Sequence, residues 1–336
     1  MSTTALVRAV RTAVRVPGAP APYDTVHVTV RYPALPATTT AERMSGRLPA
    51  DPAGAPYPLA VILSGVNVAS DAYAWLAVRL VEAGFVAVTY DWVAELFPGK
   101  DGPGELGLTP GVDLATVGPQ TYGTGPTTPA LRPVLDAVAA LGEAGPLAGL
   151  LDTGTVALFG HSAGGTVALQ SASTQWFPEV RAVVTYGAHT MASQMLGYPP
   201  STLLPAPVEA PVMLLSGTAD GVVAASAVRY GEDPGAPSHD PVTATWERAL
   251  PSTTEAWLVH LGGATHMLAA HPEDKTTARG FLEDPPVGDD AARRDALATI
   301  VTSFLHASVR GDTEAKNALE LLAEQPRPEI AEIRRR

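Results

Sequence analysis

The sequence predicts an α/β fold in which helices flank a mostly parallel central sheet, with lid-like loop insertions. Short apolar runs alternate along the chain with segments of helical spacing, and most links between them are short. This order of strand, helix and strand is typical of parallel sheets with right-handed crossovers. A chain of 336 residues with 46% hydrophobic residues is also long and apolar enough to bury the core of one large domain.

The elements follow from local pattern. Residues 23–32 alternate valines with polar residues, which predicts an antiparallel edge strand with one face in water. Continuous apolar runs predict buried strands, and apolar residues at helical spacing, closed in several cases by glycine, predict helices. The predicted buried strands are 59–63, 85–90, 155–159, 180–186, 211–216 and 255–261, and the predicted helices are 71–83, 128–141, 162–169, 290–310 and 312–322.

We expect a single domain over residues 23–323. A basic N-terminal arm at 1–22 precedes it, and a charged, proline-containing tail at 324–336 is predicted to be flexible. Stretches rich in Gly, Pro and Thr that exceed the length of a plain connection are often lids or binding loops, and a simple flexible insertion is the alternative. The expected insertions are at about 98–128, 188–207 and 225–250.

Composition narrows the possible partners. With 22 basic and 34 acidic residues the net charge is −12, which argues against nucleic acid or an anionic membrane and favours a small-molecule partner. The absence of cysteine excludes disulfides and thiolate catalysis. No metal or nucleotide motif is present, so we expect neither metal nor cofactor. The N-terminus has no apolar core of a signal peptide and no run is long enough to span a membrane, which predicts a cytoplasmic location; oligomeric state is not predicted.

One strand-turn-helix segment dominates the sequence. The run 160–164 reads Gly-His-Ser-Ala-Gly and lies between the apolar strand 155–159 and a helix of small residues. A Gly-x-Ser-x-Gly turn in this context presents one hydroxyl on a tight bend, where the flanking glycines let strand and helix approach closely. Ser162 is therefore the candidate nucleophile, and the alternative is an ordinary Gly-rich turn whose serine caps the helix.

A serine hydroxyl needs an imidazole to take its proton and a carboxylate to orient that imidazole. Asp220 and His266 follow Ser162 in that order, each just after a predicted strand. This serine, acid and histidine order along a parallel sheet predicts a catalytic triad. The alternatives are His271 for the base, Glu232 or Asp233 for the acid, and a surface-loop histidine or turn aspartate without function.

Acyl transfer also needs two N–H donors for the negatively charged oxygen of the intermediate. The backbone N–H of Ala163, directly after the nucleophile, is the first candidate. The second should come from the loop after strand 59–63, from Val66 or else from Asn67. Gly65 gives this loop the freedom to turn toward the serine.

Four further residues are predicted to bind the substrate. Asn67 and Trp92 follow predicted strands at the edge of the sheet where Ser162 lies, and Met191 and Met195 belong to the insertion 188–207. Flexible apolar side chains suit a pocket for an acyl or alkyl group, although methionine more often fills a core.

Taken together, these segments resemble the α/β-hydrolase superfamily, and specifically its branch of dienelactone hydrolases, chlorophyllases and polyester hydrolases. The resemblance covers about residues 23–322 and implies the α/β-hydrolase fold. Ser64-Gly65 stands where many relatives have His-Gly, and the insertion 98–128 is longer than a minimal member needs, so no relative's substrate is carried over. The segments that carry the resemblance are 63–66, 80–86, 160–165, 217–220, 262–266 and 304–312.

The leading functional hypothesis is a serine hydrolase that cleaves a small-molecule carboxylic ester through an acyl-enzyme on Ser162. A second hypothesis keeps the triad but not the water, so that the acyl group is transferred to another nucleophile or eliminated in a biosynthetic pathway. A third is a binding protein that has the fold without catalysis. Labelling of Ser162 by a fluorophosphonate separates the third hypothesis from the first two.

Overall fold

A computed structural model describes residues 6–97, 104–232, 240–277, 279–283 and 288–336. These residues form an α/β structure around one mixed sheet. The strands are β1 Leu6–Arg15, β2 Thr25–Ala34, β3 Tyr57–Leu63, β4 Val86–Phe97, β5 Glu105–Leu108, β6 Leu151–His161, β7 Val180–Tyr186, β8 Val212–Gly217, β9 Ala256–Leu261 and β10 Ile330–Arg335. The α-helices are α1 Thr40–Ser45, α2 Ala74–Glu82, α3 Leu131–Leu141, α4 Ala163–Ser171, α5 Gly221–Ser226, α6 Pro241–Arg248, α7 Asp290–Arg310 and α8 Thr313–Glu324.

The sheet order is β1-β2-β4-β3-β6-β7-β8-β9-β10, and β5 pairs with the far end of β4. The ladders from β4 through β3, β6, β7 and β8 to β9 are all parallel. The predicted α/β class is therefore confirmed, with a mixed sheet whose six central strands are parallel and whose other ladders are antiparallel. Because parallel strands end at the same edge, the loops after β3, β6, β8 and β9 meet there.

Both faces of the sheet are covered, as parallel sheets require. Alternate residues of β3 belong to opposite cores: Leu59, Val61 and Leu63 pack in one apolar cluster, and Ala60 and Ile62 pack in the other. Helices α3, α4 and α6 contribute to the first cluster, and α2 and α7 to the second. This double cover explains why the parallel strands read as continuous apolar runs.

The predicted N-terminal arm at 1–22 is wrong for its described part. Residues Leu6–Arg15 form β1, which pairs with β2 along its whole length. The strand predicted at 23–32 is consequently not an edge strand, since β2 lies between β1 and β4. The sequence of β1 does not predict a strand, because its residues are exposed or half-exposed and form no apolar run.

The predicted flexible tail at 324–336 is also wrong. Residues Ile330–Arg335 form β10 and pair antiparallel with β9, so the ordered domain extends to the last residues. Arginines of this strand lie over buried aromatic rings, with Arg334 over Trp246 and Arg335 over Trp257. A charged edge strand of this kind discourages pairing with other chains. Its polar sequence has no apolar periodicity, so the sequence pattern does not predict it.

The insertions contain more regular structure than expected. In 98–128 the stretch 98–103 lies outside the described residues, and β5 follows it. The insertion 188–207 is irregular as predicted, apart from a 3-10 turn at Gln194–Leu196. In 225–250 the stretch 233–239 lies outside the described residues, and α6 follows it. Over the described ranges, no helix has both the length and the apolar character that crossing a membrane requires.

Candidate active site

Ser162 lies on the sharp turn between β6 and α4, with φ of 54° and ψ of −126°. A positive φ is uncommon for any residue other than glycine, and strained backbone of this kind is concentrated at functional sites. The turn ends the strand abruptly and aims the serine side chain out of the sheet at the start of the helix. This is the local geometry that a Gly-x-Ser-x-Gly elbow predicts.

The glycines of the turn are required by space. A Cβ atom on Gly160 would stand 2.4 Å from the Cα of Gly165, and one on Gly164 would stand 2.3 Å from the carbonyl oxygen of Leu63. Both distances are far below contact, and the opposing atoms are backbone that cannot rotate away. Glycine is therefore required at both positions of the Gly-x-Ser-x-Gly motif, because α4 crosses β3 and β6 at very short distance.

The structure places Asp220 and His266 together. Asp220 follows β8, His266 follows β9, and the Nδ1 atom of His266 lies 2.8 Å from Oδ2 of Asp220. Each side chain is only 5% exposed. Gly187, at the end of β7, leaves room for the pair, because a Cβ atom there would stand 2.7 Å from Nδ1 of His266.

The electrostatic surroundings favour a protonated His266. Burial of the ring lowers its pKa, but the Asp220 carboxylate and its hydrogen bond, with the Glu283 carboxylate, outweigh burial, so that the pKa lies above its ordinary value. Arg279 acts weakly in the opposite direction. A base with a raised pKa is a stronger proton acceptor once it is neutral.

Ser162 and His266 both line one cavity of about 300 Å³. Among the described residues no hydrogen bond joins the Ser162 hydroxyl to the His266 ring. The centroids of the His161 and His266 rings lie 4.7 Å apart. Because His161 is adjacent in sequence to Ser162, the His266 ring borders the turn that carries the serine. In unliganded active sites such a bond is often long and tightens when substrate binds.

Val66 and Ala163 also line this cavity. Ala163 is the first residue of α4, where an N–H has no partner within the helix. Asn67 is excluded as the second donor because its N–H already donates to the carbonyl oxygen of Leu108 at 2.9 Å. Of the two alternatives from the sequence, the geometry therefore leaves Val66.

A buried hydrogen-bonded chain connects the loops of the site. The His161 ring has Nε2 2.9 Å from the carbonyl oxygen of His266 and Nδ1 2.7 Å from the Tyr73 hydroxyl. A carbonyl can only accept, so Nε2 carries the proton and Nδ1 accepts from Tyr73. The Tyr73 oxygen in turn accepts from the N–H of Gly65 at 2.9 Å. Burial, with His266 close by, holds the pKa of His161 well below its usual range, so this ring is neutral and holds the loops together.

Glu283 holds the same loops from another side. Its carboxylate accepts from the backbone N–H groups of His266 at 2.8 Å, Met267 at 2.7 Å and Gly221 at 3.2 Å. It thereby joins the loop that carries His266 to the start of α5, directly after Asp220. Burial raises the pKa of Glu283. Sequence reasoning missed both Tyr73 and Glu283, because side chain to backbone bonds across the fold leave no periodic signal.

The cavity wall is mostly apolar and comes from separate parts of the chain. The insertion 98–128 contributes one side, the insertion 188–207 another, and α4 a third. Apolar residues from these segments include Val112, Leu114, Val117, Met191, Ala192, Leu196 and Leu204. The described part of 98–128 is thus a wall of the site.

The four predicted substrate-binding residues have different fates. Met191 lines the cavity and is 6% exposed. Met195 does not line it and is 82% exposed, because the 3-10 turn directs the neighbouring Leu196 inward instead. Trp92 is wrong as a pocket wall, since β4 continues past it to pair with β5, and its ring packs in the core with Nε1 donating to the Tyr23 carbonyl. Asn67 lies outside this lining, and its side chain accepts from the N–H of Leu108.

The alternative residues do not take the places of Asp220 and His266. His271 is exposed, and its backbone N–H donates to the carbonyl of Ala72. Asp220, and not Glu232, carries the hydrogen bond to His266; Asp233 lies outside the described residues. Across the described ranges, no group of three or more His, Cys, Asp or Glu side chains is arranged to hold a metal ion.

Comparison of the chain with protein-family models and with curated proteins found no match.

If His266 is the proton acceptor that the sequence predicts, activity should depend on pH through its ring. A general base must be neutral to accept a proton, so kcat/KM is expected to fall as the pH drops through a pKa above the ordinary 6.5. Glu283→Gln removes a negative charge that favours the protonated ring, so the acid limb should move to lower pH. A pH profile of kcat/KM for both proteins measures this shift.

Glu209→Gln is the matched control for Glu283→Gln. Glu209 is another carboxylate that accepts from a backbone N–H, that of Thr174 at 2.9 Å, and it does not line the cavity. Its substitution should leave the acid limb in place. An acid limb that is the same in all three proteins would contradict the electrostatic role of Glu283.

Proposed function

We propose that the protein is a serine hydrolase of the α/β-hydrolase superfamily that cleaves a carboxylic ester of a small molecule. The observation that carries this proposal is the strained Ser162 at the start of α4, on the wall of the cavity that His266 also lines, with the His266 ring bonded to the buried Asp220 carboxylate. Each of the three residues follows a parallel strand, and the order along the chain is serine, acid and histidine. The proposal depends on this geometry and on the sequence motifs.

In the first half of the proposed reaction, Ser162 Oγ attacks the ester carbonyl while Nε2 of His266 takes the hydroxyl proton. Asp220 holds the ring by Nδ1 and stabilises the imidazolium that forms. The N–H groups of Val66 and Ala163 donate to the oxygen that becomes negative. His266 then gives its proton to the departing alcohol, which leaves the acyl group on Ser162.

In the second half, a water molecule loses a proton to His266 and attacks the acyl-enzyme. This attack forms a second tetrahedral intermediate. Its collapse releases the carboxylic acid, and His266 returns the proton to the Ser162 oxygen. Transfer to another nucleophile, or elimination of an acyl substituent, would use the same side chains without this water. A reaction run in ¹⁸O water distinguishes hydrolysis from transfer or elimination, because hydrolysis through the acyl-enzyme places the label in the released carboxylic acid.

The proposal predicts that Ser162→Ala removes turnover of p-nitrophenyl esters. The loss in kcat is expected to be at least about 10⁴-fold, since the other triad members cannot act without a nucleophile. Ser173→Ala, a change at another buried serine outside the cavity lining, should retain activity. Equal turnover by wild type and Ser162→Ala would exclude Ser162 as the nucleophile.

A further inference from the structure

One face of α4 forms part of the cavity wall. Ala163, Thr166, Val167 and Gln170 all line it, and their spacing of three, four and seven residues places them on a single side of a helix. The helix that carries the nucleophile at its start therefore continues along the cavity. A substrate that fills the cavity must therefore match the polar group of the last residue of α4 that lines it.

Gln170 is that last residue, and its amide has no partner among the residues that the structure describes. The side chain is 6% exposed, yet its amide makes no hydrogen bond within the part of the chain that the structure describes. Its polar neighbours are satisfied: the Thr166 hydroxyl donates to the His189 carbonyl at 2.8 Å, and the Ser171 hydroxyl accepts from the N–H of Thr127 at 3.1 Å. The amide atoms of Gln170 are not among the fully enclosed polar atoms that lack a partner, so they are open to the cavity that Gln170 lines. An amide in this position is suited to bind a polar group of a ligand.

The position of Gln170 sets where that ligand group lies. A helix rises 1.5 Å per residue, so Gln170 lies about 10 Å along the axis from Ala163 at the reacting end. Most of the remaining wall is apolar. Along α4 the cavity thus combines the reacting centre, an apolar stretch and an amide that can both donate and accept. The charged residues Glu95, Arg229 and Arg279 also line the cavity, and none of them belongs to α4.

We propose that Gln170 binds an oxygen-containing group on the distal part of the acyl chain, so that the preferred substrates are esters of oxo or hydroxy acids. This inference rests on the proposed function. The acyl part is assigned to the cavity because it stays bound after the alcohol has left. A site that hydrogen-bonds a substrate group discriminates against analogues without it, since its own polar group is then left unpaired.

The test compares p-nitrophenyl esters in pairs of equal chain length, from butanoyl to decanoyl, in which one member carries a ketone or hydroxyl near the end of the chain. Wild type should prefer the oxygenated member in kcat/KM by about tenfold or more at one chain length. Gln170→Leu should abolish or reverse this preference by losing activity on the oxygenated ester alone. Gln175→Leu, which removes an amide outside the cavity lining, should keep the preference.

Two further measurements separate the possible failures. Gln170→Leu should unfold at the same temperature as wild type or higher, and Ser162 should still react with a fluorophosphonate, because the Gln170 amide makes no hydrogen bond to any described residue. Gln170→Glu, which keeps acceptors and loses donors at neutral pH, should retain hydroxy esters and lose oxo esters. Turnover of both members of every pair without preference would overturn this inference and leave the proposed function standing. Absence of both turnover and labelling in wild type would overturn the proposed function itself.

Discussion

Asp220→Asn should reduce kcat for ester hydrolysis by about 10³- to 10⁴-fold with little loss of stability. In the wild-type protein Oδ2 of Asp220 lies 2.8 Å from Nδ1 of His266, and Oδ1 accepts from the N–H of Val223 at the start of α5. An asparagine can keep the helix cap through its carbonyl oxygen. Its NH₂ group then faces Nδ1 and favours the tautomer with the proton on Nε2, which cannot accept a proton from Ser162.

Asp240→Asn is a matched control for this change. Asp240 also begins a helix, since its Oδ1 accepts from the N–H of Val242 at 3.0 Å, and its Oδ2 lies 3.4 Å from Nε2 of His260. This second aspartate and histidine pair does not line the cavity. Steady-state kinetics and thermal unfolding should show similar stability for both variants and full activity for Asp240→Asn alone. Retention of more than about a tenth of wild-type kcat by Asp220→Asn would contradict the role given to the carboxylate.

Gly160→Ala should damage both the fold and the site. The new methyl group would stand 2.4 Å from the Cα of Gly165 and 2.5 Å from its nitrogen, so β6 and α4 must separate. Overpacking against backbone is expected to reduce the free energy of unfolding by about 3 kcal/mol or more. Denaturant unfolding measures that loss, and the rate of Ser162 labelling by a fluorophosphonate should fall with it, because the elbow holds the nucleophile.

Gly154→Ala provides the comparison within the same strand. A Cβ atom there meets nothing nearer than Oδ1 of Asp152 at 3.5 Å, and the residue is exposed. Its free energy of unfolding should stay within about 0.5 kcal/mol of wild type, with labelling unchanged. Equal stability of the two glycine variants would mean that the close crossing of strand and helix is not required.

Elements with a strong local pattern were predicted closely. The helix at 290–310 was predicted to the residue, because the Asp289 side chain caps its start and Gly311, in the left-handed region, ends it. The strand Val180–Tyr186 was likewise recognised from a buried apolar run. Both edge strands were missed, since neither β1 nor β10 has a continuous apolar run and each pairs along its length with a neighbouring strand, which the sequence pattern does not reveal.

The residues of the site likewise fall into those that the sequence could predict and those that it could not. Ser162, Asp220 and His266 could be found because each follows a strand at one edge of the sheet and each has a chemical requirement for its neighbours. Trp92 and Met195 could not be placed, since the length of β4 depends on its pairing with β5 and the direction of Met195 on a single 3-10 turn. Gln170 shares a helix face with Ala163, and that spacing was a signal available from the sequence.

The central claim is that this fold makes one serine reactive, and mass spectrometry of a covalent adduct tests it most directly. Wild-type protein treated with a fluorophosphonate should gain one adduct, and peptide mapping should place it on Ser162, with Asp220→Asn reacting far more slowly. Protein that gains no adduct, or that carries it on another serine at the same rate in Ser162→Ala, would contradict the account.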